Sequence, residues 1–555
     1  MLRLRFLRSV HPCLLAAATI TFGVPLTAVG AMNPAWVEKW EEDLALAHET
    51  LRDKHPSPFD RVSAEEIQAE FDQLVERLPE LTHYDVIVDL ARIVAMVEDG
   101  HTRLTLPLAP GVDFMQGHSE TERPSLPEME FHQFPVRFGV DSRGVWVQGI
   151  SRPYRELLGG RLVAIDARSA DQAVDLVGPT IQRDNEMQVL HHLPMHLVLA
   201  EVLHSRGVTE SAEQATFSIE KRDGSVEKVA LSRVAEGATV DWVEAGPAGD
   251  DSKPWSRRRN DENFWFTYLE PQSLVYLQFN TVYDKEEETI RQFSERLSTF
   301  LDGVPETILV VDLRHNRGGN QSLGLPLLHS LIASPQNRAG QLFTIIGRTT
   351  FSAAMTFSLQ MEKHTQTLFV GEPTGSKPNH YGDSRKTLLP NSNVTLRISS
   401  LYWQWSPTDT RSWIAPHADA PPTREADLAG RDPALDLIES VMVDGEMVDD
   451  LDGEWRGNLP PASYGRDSIF RFEDSRDSAQ ETPSESPQAT VDVPLFGLEG
   501  GATANLKVDS DRISFQIPVG EETVSYLGRI NNRWIVGHGD LGSIRFPILL
   551  ERAMD

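Results

Sequence analysis

The sequence predicts an α/β protein: a βαβ core preceded by helices and a mixed β region, and followed by a small all-β domain. Three observations predict it. Strand-like and helix-like segments alternate from residue 273 to 371. ILVVD (308–312) is a continuous apolar run of the kind found in parallel strands buried on both faces. From Gly453 onward, short alternating segments are separated by glycine turns, the mark of an all-β domain.

Taken in order, residues 1–31 read as a secretory signal. Arg3, Arg5 and Arg8 form a basic start, an apolar stretch follows, and Val29 and Ala31 sit at the −3 and −1 positions of a cleavage site. Pro25 breaks the apolar stretch, so an uncleaved anchor is the lesser alternative. Residues 32–105 are expected to be helical. SAEE fits a capping box with Ser63 as cap and Glu66 three residues on. Ile87, Leu90, Val94 and Val97 share one helix face, and Gly100 is expected to end that helix. Residues 106–260 read as mixed β, with a hairpin around Asp223-Gly224.

The core is placed at 261–445. SLVYLQF, ETILVVD, QLFTIIG and QTLFVGE are its strands, with helices between them, which implies a mostly parallel sheet covered by helices. Functional loops in such sheets lie beyond the carboxyl ends of the strands. The all-β domain occupies 450–555, and the acidic, proline-containing stretch 474–490 reads as a loop within it.

The 555-residue chain carries a formal net charge of −30, which disfavours nucleic acid and anionic membranes as partners. Its one cysteine, Cys13, lies in the expected signal, so a cleaved chain has no disulfide, thiolate metal site or cysteine nucleophile. No later segment is apolar for long enough to span a bilayer, so no stable membrane insertion is expected after cleavage.

Three features bear on chemistry. RTTFSAAM (348–355) places Ser352 between a strand and a helix, where it is either a helix cap or a nucleophile facing the helix N-terminus. Gly318-Gly319 follows a buried strand, as a turn or as a cradle for an oxyanion. His101 stands between a helix end and a strand and titrates in the right range for a base. His192 and His196 are four apart, as zinc ligands on a helix can be, but Pro194 lies between them and no HExxH pattern is present. The GxSxG elbow is absent.

EDGHTRL (98–104), VVDLRHNRGG (310–319), RTTFSAAM, VGEPTG (370–375) and GRDPALD (430–436) occur in the order seen in the tail-specific, or C-terminal-processing, serine peptidases. The sequence resembles the branch containing the tricorn core protease and the interphotoreceptor retinoid-binding protein repeats, over roughly residues 33–440. The resemblance implies a crotonase/Clp-protease-like core, with LLGGRLVAIDARSADQAV as a degenerate PDZ-like region. It implies that Ser352 is the nucleophile and that the N–H groups of Ala353 and of Gly318 or Gly319 hold the oxyanion. His101 is the implied base, with Asp409 as its orienting acid and Glu425 as the weaker match. Lys377, 25 residues after Ser352, is the alternative base of the Ser–Lys branch; its polar loop makes the required desolvation hard to achieve.

The expected function is therefore an exported, periplasmic or secreted serine peptidase that acts on protein or peptide substrates and needs no metal or organic cofactor. A serine esterase would use the same machinery. A non-catalytic binder of apolar ligands or peptides on the same fold is the reading from another class.

Overall fold

The structure, a computed structural model, describes residues 32–110, 112, 124–247, 249, 252–442, 451–457, 468–473, 488–493, 498–509, 511–530 and 533–553. The expected signal and most of the acidic stretch lie outside the described residues; the last three residues of that stretch belong to a strand, Gln488–Val493.

Three helices open the described chain: Pro34–Lys54, Ala64–Arg77 and His83–Ala95. The second begins with the expected capping box, Ser63 with Glu66. The third stops five residues before Gly100. The residue with left-handed backbone after it is Glu98, at φ 53°. Gly100 has a different role: a Cβ there would lie 2.8 Å from the ring of Phe351 and closer still to Gln188. Glycine is needed for close approach, not for helix termination.

The short strand Arg103–Thr105 joins Thr395–Ile398 and Arg385–Leu388 in a three-stranded antiparallel sheet. Residues 136–244 form a separate antiparallel sheet, whose hairpin Gln214–Glu220 and Val226–Ser232 turns at Gly224 as expected.

The central sheet runs, in spatial order, Ala418–Asp419, Leu368–Gly371, Leu342–Ile346, Ile308–Asp312, Leu274–Phe279, Phe264–Leu269. All neighbours are parallel except the last pair. Its strands read as unbroken apolar runs because both faces are covered. Leu309, Val311, Leu342 and Phe369 pack towards the helices Ile290–Asp302, Leu325–Ala333 and Ala353–His364. Val310, Phe343, Leu368 and Val370 pack the other way, against Ile438 and Val441 of the helix Pro433–Met442 and against Trp534 and Leu549 of the C-terminal region. The two end strands, Phe264–Leu269 and Ala418–Asp419, are not expected from the sequence; each pairs with a single neighbour, and Ala418–Asp419 is only two residues long.

The C-terminal region is a nine-stranded antiparallel sheet spanning 453–552. Its two end strands, Leu498–Ala502 and Ala504–Asp509, are separated by one residue, so the sheet must curl round on itself.

Candidate active site

Ser352 sits past the carboxyl end of Leu342–Ile346, at the start of Ala353–His364. Its backbone has φ 57° and ψ −125°, and its side chain makes no capping bond. The helix-cap reading therefore fails. Holding a serine there costs about 1–3 kcal/mol, and the turn that does it is anchored on both sides: Phe351 N–H donates to the Asn316 carbonyl at 3.1 Å, and Thr350 Oγ1 donates to the Leu313 carbonyl at 3.0 Å.

Asn316 is fully buried and ties three strand ends together. Besides accepting from Phe351, it donates Nδ2 to the Phe279 carbonyl and accepts the Gly318 N–H on Oδ1, both at 2.8 Å. Gly318 has φ 101°, and a Cβ there would lie 2.8 Å from both Ala353 N and Ser352 Cβ. The glycine loop is thus packed directly on the serine turn. Gly319 forms a parallel bridge with Val282, which donates to the Gly318 carbonyl and accepts from Asn320 N–H, both at 2.9 Å. That pairing turns the N–H of Gly319 itself away from Val282. Among the described residues, neither Gly319 N–H nor Ala353 N–H has an acceptor. The two glycines differ: the N–H of Gly318 is already used, and Gly318 supplies room.

His101 is stacked on Phe351, ring centres 4.3 Å apart, with His380 on a nearly parallel plane at 5.9 Å. The base candidate therefore lies against the residue preceding Ser352. Its Nδ1 is buried without a hydrogen-bond partner. Burial pushes its pKa down to about 4; the Asp99 carboxylate opposes this and His380 adds to it. The imidazole is neutral at pH 7, though displaced from its ordinary range by the packing.

Asp99 accepts the backbone N–H of His101 at 2.9 Å. Burial alone would raise the pKa of Asp99; the hydrogen bond from His55 helps hold it below the usual carboxylate range. Ser57 N–H donates to His55 Nδ1 at 3.1 Å, so His55 Nε2 carries the proton and faces Asp99 Oδ2 at 3.2 Å.

The remaining sequence candidates are placed elsewhere. Asp409 grips Arg411 at 2.7–2.9 Å, and Arg411 also holds Glu362 at 2.6 and 2.8 Å. The Asp409 carboxylate is committed to that ion cluster and makes no bond to His101. Glu425 is half-exposed and paired with Arg424 and Arg143. Lys377 is half-buried and reaches the Glu98 carbonyl at 3.5 Å. The paired histidines have separate partners: His192 Nε2 meets Gln182 Nε2 at 3.4 Å and His196 Nδ1 meets Thr180 Oγ1 at 3.2 Å. No group of three or more His, Cys, Asp or Glu suited to a metal ion occurs among the described residues.

Sequence reasoning missed Asp184 and His380. Asp184 is buried, accepting from Gly100 N–H at 2.8 Å and Ser376 Oγ at 2.6 Å. Its partners are 84 and 192 residues away, so no local pattern could have marked it. His380 lies three residues after Lys377, inside the loop that the alternative base had already drawn attention to.

Ser352, Gly319 and His101 all line one cavity of about 930 Å³. It lies between the N-terminal segment, the second sheet and the carboxyl ends of the central strands, as open α/β sheets require.

No family model matches the chain, and no curated protein does. Solved structures do. Mature CPAF matches with a TM-score of 0.50 at 12% identity, over 73% of this chain and 96% of that one. CPAF complexed with lactacystin matches with the same score and identity, over 97% of its chain. The photosystem II D1 C-terminal processing protease gives 0.32 at 14% identity over 72% and 98% of the two chains. The chain shares the fold of CPAF.

Proposed function

We propose that the protein is a serine peptidase in which Ser352 attacks a peptide carbonyl. His101 takes the Ser352 proton and returns it to the leaving amine. The N–H groups of Gly319 and Ala353 hold the oxyanion, a contribution worth about 3 kcal/mol of barrier per donor. Water then hydrolyses the acyl-enzyme, with His101 again as base. In this reading Asp99, bonded to the His101 backbone N–H, is the carboxylate whose charge favours the protonated imidazole, and Asp409 braces the loop around Arg411.

The observation that carries the reading is Ser352 itself: a serine at positive φ, uncapped, packed against Gly318, on the wall of a cavity that His101 also lines. The cavity is lined by arginines and histidines as well as apolar groups, which suits a peptide better than an apolar ligand. The basic, apolar and small-residue order of residues 1–31 supports export as part of the same proposal. No helix among the described residues is long and apolar enough to cross a membrane.

The test is labelling with a fluorophosphonate, read by intact and peptide mass spectrometry, with Ser352→Ala as control. The expected result is one adduct on Ser352 that the variant lacks. A folded protein that takes no adduct overturns the proposal. Parallel peptide and ester substrates separate a peptidase from an esterase.

A further inference from the structure

The cavity beside Ser352 carries more positive than negative side chains, although the whole chain is strongly acidic. Its four lining carboxylates are all engaged: Glu244 with Arg137, Glu372 with Arg348, Asp427 with Arg257 and Asp432 with Arg314. Arg103 is different. It lines the same cavity, two residues from His101, and has no hydrogen bond or ion pair among the described residues. Burial pushes its pKa down to about 10, the neighbouring Arg397 adds to this, and Asp99 only partly opposes it.

The three-stranded sheet explains the crowding. Arg103 is the direct partner of Arg397, and Arg397 is the direct partner of Lys386. Directly opposed residues of antiparallel strands share one face, and like charges there are destabilising. The same face carries Thr105 opposite Thr395, and Thr105 Oγ1 is buried without a partner while lining the cavity. The opposite face, with Leu104 and Leu396, belongs to the apolar core. Strand spacing makes the cationic row about 10 Å long. It runs from the partly buried Arg103 on the cavity wall to the exposed Lys386.

Resting on the peptidase reading above, we propose that the row Arg103–Arg397–Lys386, with the Thr105 hydroxyl, is a subsite for carboxylate side chains of the substrate. The protein takes peptides bearing Asp or Glu on one side of the bond that Ser352 attacks. Along an extended peptide, side chains on one face repeat about every 7 Å, so the row reaches two carboxylates. A bound carboxylate relieves the repulsion between Arg103 and Arg397 that the empty sheet carries.

The test separates binding from catalysis. Ser352→Ala protein is titrated with fluorescent peptides that differ only in Asp/Glu against Asn/Gln, each with a free and an amidated C-terminus. The acidic peptides should bind at least tenfold tighter than their amide isosteres, with the advantage shrinking as salt is added. Lys386→Gln, at an exposed position, should reduce that advantage, and Arg397→Glu should reverse it in favour of lysine-bearing peptides. Equal binding of acidic and isosteric peptides overturns the subsite, even if Ser352 takes the fluorophosphonate. A preference that follows only the free C-terminus overturns it too, by assigning the row to the terminal carboxylate. Absence of the fluorophosphonate adduct counts against the peptidase reading alone, because the binding comparison does not depend on it.

Discussion

At the residue scale, His101 shows how packing sets chemistry. Sequence alone places a histidine near neutrality; the stack between Phe351 and His380 moves it to about 4. The acid limb of kcat/KM, which reports the free enzyme, is therefore expected near pH 4. His380→Gln removes a ring that buries His101 and a charge that disfavours its protonation. Both changes raise the pKa, so the limb should move up by roughly half to one unit. A pH–rate profile on one peptide checks this; an unmoved limb would mean that another group titrates. That Ser352, Gly319 and His101 share one cavity was legible, because each sits in a motif. The motifs could not rule out Asp409 as the acid for His101, because that depends on which carboxylate already has a cation. Arg411 takes Asp409, and no spacing rule reveals it.

At the element scale, the site is made by two loops that touch. Gly318→Ala would place a methyl 2.8 Å from Ala353 N and from Ser352 Cβ, at a φ of 101° that alanine resists. The loop must move, and the Gly319 donor moves with it. We expect kcat to fall by about 10²–10³, the cost of one lost oxyanion donor, with little change in KM. Steady-state kinetics on Gly318→Ala checks this, and a KM effect alone would contradict it. The central strands and their helices were legible because ILVVD and its neighbours are unbroken apolar runs bounded by glycine. The helix ending before Gly100 was less so. The sequence marks glycine as a stop, but the tertiary contact with Phe351 and Gln188 is what requires it. The two end strands escaped notice because Ala418–Asp419 is too short to show a period.

At the scale of the whole molecule, buried histidines set the acid limit of stability. His196 and His417 are almost inaccessible, and burial pushes each down to about 4 from 6.5. Below pH 6.5 the unfolded chain takes up protons at these positions that the folded chain refuses, so stability falls as pH drops from 6.5 to about 4. Each such group forfeits about 3 kcal/mol over that window. Thermal unfolding followed between pH 7.5 and 4 should show a midpoint that declines throughout the lower half. His417→Phe should flatten the decline, and an unchanged slope in that variant would refute the assignment.

Trp534 and Leu549 of the C-terminal sheet share an apolar layer with Phe343, Leu368 and Val370 of the central sheet, and Trp534 Nε1 donates to Ser440 Oγ at 3.2 Å. The strand that leads to Ser352 is therefore wetted on one side as soon as the C-terminal region is removed. Truncation before Gly453 should therefore loosen the turn at Ser352 along with the central sheet.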